Sequence, residues 1–149
     1  MKLDIERIET RIAFIKSNLT FLRQLGESTE SEFVSDQRNF YSAVHALQVS
    51  IEAMLDILTH IVTRLHLGVP SDDHETLKIA RENGLILQEH FQQFFKMNKF
   101  RNKVVHGYLD VDATKVYGML QRDLGDFDLF FADIRRIIER ELEKEKNAT

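Results

Sequence analysis

Residues 40–65 read FYSAVHALQVSIEAMLDILTHIVTRL, and this run decides the fold. Phe40, Val44, Leu47, Ile51, Leu55, Leu58, Val62 and Leu65 recur at three- and four-residue steps. That spacing puts one side chain per turn on a single stripe of an α-helix. His45, Glu52 and Asp56 fall on another face, away from this stripe. Gly68-Val69-Pro70 ends the helix, because proline lacks the N–H that would continue the hydrogen-bond ladder.

The same period appears on both sides of this run. Ile5, Ile8, Ile12, Ile15, Leu19 and Leu22 predict a first helix that stops at Gly26. Glu27 to Glu32 is expected to be a polar loop. Ser71, Asp72 and Asp73 offer N-cap side chains for a short helix through Arg81, which Asn83-Gly84 closes. A fourth helix runs from about Leu85 to about Val105, with Leu87, Phe91, Phe94, Phe95 and Met97 on its apolar side. Asp110 or Asp112 caps a final helix carrying Val116, Leu120, Leu124, Phe127, Phe131, Ile134 and Ile138, which Gly125 can bend. The charged tail from Glu139 to Thr149 is expected to fray. The sum is one all-α domain over residues 1–149, an antiparallel bundle of about five helices.

Composition narrows the function classes. The chain has 149 residues, no cysteine and one proline, so disulfides and thiolate metal sites are excluded. This fits a reducing cytosol. The opening Lys2, Asp4, Glu6 and Arg7 do not read as a secretion signal, and no apolar run is expected to span a bilayer. A net charge of −4 argues against a protein that coats nucleic acid non-specifically. Against that background Lys96, Lys99, Arg101 and Lys103 form a local cationic cluster with no acidic residue between them.

The cluster leads into Arg101-Asn102-Lys103-Val104-Val105-His106-Gly107-Tyr108. Arginine keeps its charge and can bond two phosphate oxygens at once. Histidine moves protons near neutral pH. RNA can be cut by its own 2′-hydroxyl attacking the neighbouring phosphorus, a reaction that builds negative charge on phosphate oxygens. Arg101 suits phosphate and transition-state binding, and His106 suits general acid or base. Asn102 can orient a phosphate or ribose, and Lys103 adds positive charge for substrate. No metal is required by this scheme. On a straight helix five residues turn the direction by roughly 140°, so Arg101 and His106 do not share a face. Either the helix breaks near Gly107 or another surface, such as a symmetric second copy, completes the site. Structural readings stand beside this one. Arg101 can pair with a carboxylate such as Asp110, His106 can cap the helix C-terminus, and Tyr108 can be a core aromatic.

With Asp110-Val111-Asp112 after it, this element resembles the signature of HEPN-domain proteins of the HepT toxin type. His45-Ala46-Leu47-Gln48, Ile51-Glu52-Ala53, Leu55-Asp56-Ile57 and His60-Ile61 are similar to the long helix of that family. The resemblance covers nearly the whole chain. It implies a HEPN bundle acting as a homodimer, with two motif copies meeting at a cleft. It implies that Arg101 and His106 are the residues of a metal-independent endoribonuclease that needs no cofactor. It also implies a toxin–antitoxin pair whose partner, a nucleotidyltransferase of the MntA type, uses ATP to adenylylate Tyr108. The alternative within the same family is a non-catalytic nucleotide- or substrate-binding module that serves a nucleotidyltransferase.

Other candidates read as structural. His45, Glu52 and Asp56 share one face of the long helix, either a wall of an RNA cleft or dimer seam, or a solvated face. His60, His66, His74 and His90 show no metal-ligand spacing and are expected at the surface or in packing. Phe91, Phe94, Phe95 and Phe100 can stack bases, but their spacing suits a core. There is no glycine-rich phosphate loop and no serine nucleophile elbow.

Overall fold

The structure is a computed structural model that describes residues 2–107 and 111–148. Among them are seven α-helices: α1 (Ile5–Gly26), α2 (Glu30–Ser35), α3 (Gln37–Arg64), α4 (Asp73–Glu82), α5 (Phe91–Val105), α6 (Ala113–Arg122) and α7 (Asp126–Asn147). A 3₁₀ turn, Gln88–His90, leads into α5. The all-α class expected from the sequence is correct, but the count of about five is too low, for two local reasons.

The first is the stretch expected to be a polar loop, which holds α2. Thr29 Oγ1 accepts from the Glu32 amide at 3.2 Å and donates to the Glu32 carboxylate at 3.0 Å. This reciprocal capping starts a helix in a polar segment, and the fully buried Phe33 anchors it. Asp36 then caps α3 through the Arg38 amide at 2.9 Å, so the long helix begins at Gln37. The second is the final helix, which is two. The chain turns through Asp123, Leu124 and Gly125, with the Asp126 amide donating to the Asp123 carbonyl at 3.0 Å. Leu124 is buried at this corner, which fixes the turn by burial rather than leaving a gentle bend. Asp112 caps α6 through the Lys115 amide at 2.9 Å, and Asp110 lies outside the described residues. The charged tail does not fray at Glu139. It stays helical to Asn147, helped by an i,i+3 pair between Lys144 and Glu141 at 3.3 Å.

Helix α3 is the axis of the bundle, with α1, α2, α4, α5 and α6 packed around it. Pairing along α1 and α3 is antiparallel. Asn18 Nδ2 donates to Ser50 Oγ at 3.0 Å, while near the other end of α1 the Asp4 amide donates to His60 Nε2 at 3.1 Å. Among the described residues α3 is also the one helix long and apolar enough to cross a bilayer, contrary to the expectation that no run would be. Sixty-seven percent (67%) of that apolar window is buried inside the bundle, as befits a core helix.

Two polar groups inside the bundle set its conditions. Asp133, on α7, is 1% exposed. It meets His90 Nδ1 at 2.9 Å and Arg136 Nη2 at 3.1 Å, and Arg136 reaches back to the Leu85 carbonyl at 3.1 Å. This network ties the segment before α5 to α7 and so sets where α5 begins. His60 is buried, and burial together with the nearby Arg7 and Arg64 charges holds its pKa below the ordinary 6.5. The folded protein therefore keeps His60 neutral where the unfolded chain takes up a proton. Stability from this site is complete above about pH 6.5 and is lost as pH falls toward the depressed value. Melting temperatures should drop between about pH 7.5 and pH 5, and His60→Gln should flatten that slope. An equal slope in the variant would remove His60 as its source.

Candidate active site

The inward stripe of α5 is Phe91, Phe94, Met97 and Asn98, all buried. One more turn along the same stripe comes Arg101. Its position on a core-facing line explains why its side chain is only 18% exposed. The guanidinium meets Asp73, the first residue of α4, in a hydrogen-bonded ion pair from Nη2 to Oδ2. Asp72 is the N-cap of α4 and accepts from the Glu75 amide at 2.8 Å. His74 follows, its ring edge-on to Phe95 with centroids 5.0 Å apart.

Asp72, Asp73, His74, Asn98, Arg101 and Asn102 line a cavity of about 330 Å³. Two buried polar atoms of these lining residues, Asn98 Oδ1 and Arg101 Nε, have no hydrogen-bond partner among the described residues. The cavity thus offers a guanidinium, two carboxamides, a histidine and a carboxylate, a set suited to phosphate and sugar hydroxyls. A larger open cleft of about 700 Å³, lined by Lys2, Leu65, Leu67, Asn83, Arg140 and Glu141 among others, contains no residue of the motif.

The structure brings Arg101 and Asn102 together and places His106 apart from their cavity. Helix α5 ends at Val105 and His106 is its C-cap, exposed, with its amide donating to the Asn102 carbonyl at 3.0 Å. Gly107 follows at φ +69°, in the left-handed region that favours glycine, and its amide donates to the Val104 carbonyl at 3.2 Å. The helix therefore breaks at the motif, one of the two solutions that the five-residue spacing demanded. Lys103 is half-buried and does not line the cavity. Tyr108 and Asp110 lie outside the described residues, and the carboxylate found on Arg101 is Asp73. Lys96 and Lys99 are exposed on α5, with Lys99 Nζ 5.6 Å from the Phe95 ring centre.

Sequence reasoning missed Asp73 as a partner and missed Asn98 altogether, whereas His74, expected at the surface or in packing, is exposed and packs its ring on Phe95. Asn98 carried a signal, since a residue three before Arg101 shares its face. Asp73 carried none beyond its capping pattern. The remaining candidates are structural. Phe91 and Phe94 are buried and Phe95 and Phe100 pack against the core, His45 is exposed, Glu52 accepts from Gln48 at 3.1 Å, and Asp56 lies 4.0 Å from Arg11.

Known proteins resemble this chain in sequence and in backbone fold. The chain is 31% identical over 129 residues to the mRNA nuclease HepT of Shewanella oneidensis, covering 86% of this chain and 96% of that protein. It is 24% identical over 127 residues to the tRNA nuclease HepT of Aphanizomenon flos-aquae, covering 85% and 86%. Its backbone matches the tri-AMPylated Shewanella oneidensis HEPN toxin, solved in complex with an MNT antitoxin, with a TM-score of 0.81 at 30% identity over 87% of this chain and 97% of that one. YutE of Bacillus subtilis, a cytosolic protein of unknown function, has a TM-score of 0.79 at 18% identity and shares the fold alone. Residues 9–134, from the first helix to the seventh and across the Arg101 cavity, match the family described as ribonuclease HepT-like, and the chain belongs to that family.

Proposed function

We propose that this protein is the ribonuclease toxin of a toxin–antitoxin pair, cutting RNA through its own 2′-hydroxyl. The observation that carries the reading is Arg101. It is a guanidinium at a cavity of about 330 Å³, on the last turn of a helix whose C-cap is a histidine, in a chain similar to two RNA nucleases. In this reading Arg101 holds the scissile phosphate and stabilises the charge that grows on it. The 2′-oxygen forms its bond to phosphorus as the bond to the 5′-oxygen breaks. His106 either removes the 2′-proton or returns a proton to the leaving oxygen. Asn102 and Lys103 bind flanking phosphate or ribose. His106 does not line the Arg101 cavity of its own chain, and in this reading two copies of the motif meet in a homodimer and share the RNA between them.

The partner in this reading is a nucleotidyltransferase of the kind that the Shewanella oneidensis toxin binds. It transfers AMP from ATP to the Tyr108 hydroxyl and releases pyrophosphate. Toxicity of the isolated gene is the test: expression alone should arrest growth, and co-expression with the partner should relieve it. A harmless isolated gene would favour the non-catalytic binding module instead. The Asp73–Arg101 pair gives that second reading some support, since a carboxylate already occupies one edge of the guanidinium.

Within the ribonuclease reading Asp73 competes with RNA phosphate for Arg101. In a non-cleaving His106→Ala background, Asp73→Ala should tighten RNA binding about fivefold, equivalent to roughly 1 kcal/mol for a partly exposed pair. The gain should shrink with added salt. Weaker binding in a fluorescence anisotropy titration would instead make Asp73 the residue that orients Arg101 for substrate.

A further inference from the structure

We infer that Asn98 is a substrate-positioning residue whose carboxamide oxygen accepts a hydrogen bond from the ribose 2′-hydroxyl beside the phosphate on Arg101. The inference rests on the ribonuclease reading above and adds to it the residue that orients the nucleophile.

Three observations carry it. Asn98 is 3% exposed, and its Oδ1 has no donor among the described residues. A buried acceptor left unpaired is destabilising, and a leucine of similar volume would not incur that penalty. A polar group kept under such a penalty points to a ligand. The second observation is complementarity. One turn away on the same face, Arg101 lines the same cavity and its buried Nε is a donor without a partner among the described residues. The reacting unit of RNA presents the matching pair, a hydroxyl that donates and, next to it, phosphate oxygens that accept. DNA lacks the first of these. The third is the Arg101–Asp73 ion pair. Side chains on a helix lean toward its N-terminus, so in this proposal the Arg101 side chain, held on Asp73, lies over the buried Asn98. When a phosphate draws the guanidinium away from Asp73, Nε and Oδ1 are uncovered together.

The chemistry confines Asn98 to orientation. A carboxamide oxygen is too weak a base to remove a hydroxyl proton, so proton transfer stays with His106. The hydrogen bond points the hydroxyl, and the lone pair that attacks, at phosphorus.

The experiment compares wild type, Asn98→Leu, Asn98→Ala and Arg101→Ala by circular dichroism, thermal melting and single-turnover RNA cleavage across pH. Asn98→Leu should melt at the wild-type temperature or above it, because the unpaired acceptor is gone. Both Asn98 variants should cleave roughly tenfold to hundredfold more slowly, with RNA affinity changed less than about threefold. The pH profile should drop in height and keep its midpoint. A folded variant that cuts at the wild-type rate overturns the inference, as does a shifted midpoint, which would mean that Asn98 acts by tuning His106. Should Asn98→Leu fail to fold, Asn98→Ala decides, and loss of fold in both assigns Asn98 a purely structural role and sinks the idea. Wild type that cuts, with Arg101→Ala inactive and the Asn98 variants normal, removes the Asn98 assignment alone. Wild type that cuts no RNA removes the ribonuclease reading and this inference with it.

Discussion

Arg101→Ala should lower RNA cleavage roughly a thousandfold and abolish growth arrest, with the helical bundle still folded. The size follows from the charge that the attack places on phosphate oxygens. Removing one preorganised donor from such a site lowers rates roughly 10²- to 10³-fold, and Arg101 supplies several donors and a full charge. The fold should survive because the side chains of Arg101 and Asp73 are 18% and 35% exposed, so water can reach the carboxylate left behind. The expected loss of stability is about 1–2 kcal/mol. Arg101→Lys should not restore activity, because a single ammonium cannot present a planar fork to phosphate. His106→Ala should also stop cleavage, by roughly 10²- to 10⁴-fold, while leaving RNA binding nearly intact. This division separates the two roles: binding is lost with Arg101 and kept without His106. Both variants cutting normally would mean that the site lies elsewhere.

Tyr108→Phe should leave the toxin active and immune to its antitoxin. The substitution keeps the ring and removes the one oxygen that can accept AMP. Cells carrying both genes should therefore stop growing with Tyr108→Phe and grow normally with wild type. Intact-mass spectrometry should show AMP additions on the wild-type chain from such cells and none on the variant. The effect is large because AMP adds bulk and a negatively charged phosphate two residues from His106, at a site that receives RNA phosphate. Gly107, at φ +69°, turns the chain away from the helix just before that tyrosine. AMP attached elsewhere on a protected wild-type chain would count against Tyr108 as the acceptor.

Much of the frame can be read from spacing. The stripe from Phe40 to Leu65 foretold α3 and Asp112 the start of α6, but α3 ends at Arg64, where His66 at φ +56° turns the chain away ahead of Pro70. Two errors have opposite sources, composition in one case and periodicity in the other. Glu27 to Glu32 looks polar enough for a loop, yet Thr29 and Glu32 are a capping box followed by the buried Phe33. Leu124 keeps the apolar period of the final helix, so the sequence reads on through a corner that packing makes sharp. The site divides in the same way. Arg101 and Asn102 line the cavity and could be picked out because they are neighbours in one motif, the same motif that proposes Lys103, His106 and Tyr108. The Arg101–Asp73 contact spans 28 residues and depends on how α4 lies against α5, which no local pattern encodes. Asn98 was hidden for another reason. It occupies a core-facing position where a hydrophobic residue is the norm, and only the unpaired oxygen marks it as different.

The most direct measurement is the chemistry of the cut ends. Purified protein should be incubated with cellular RNA in excess chelator, and the fragments mapped for their 3′ termini. Attack by the 2′-hydroxyl predicts 2′,3′-cyclic phosphate ends, formed without added metal and absent with Arg101→Ala. No cleavage, or cleavage that needs a divalent metal and leaves 3′-hydroxyl ends, would contradict the account.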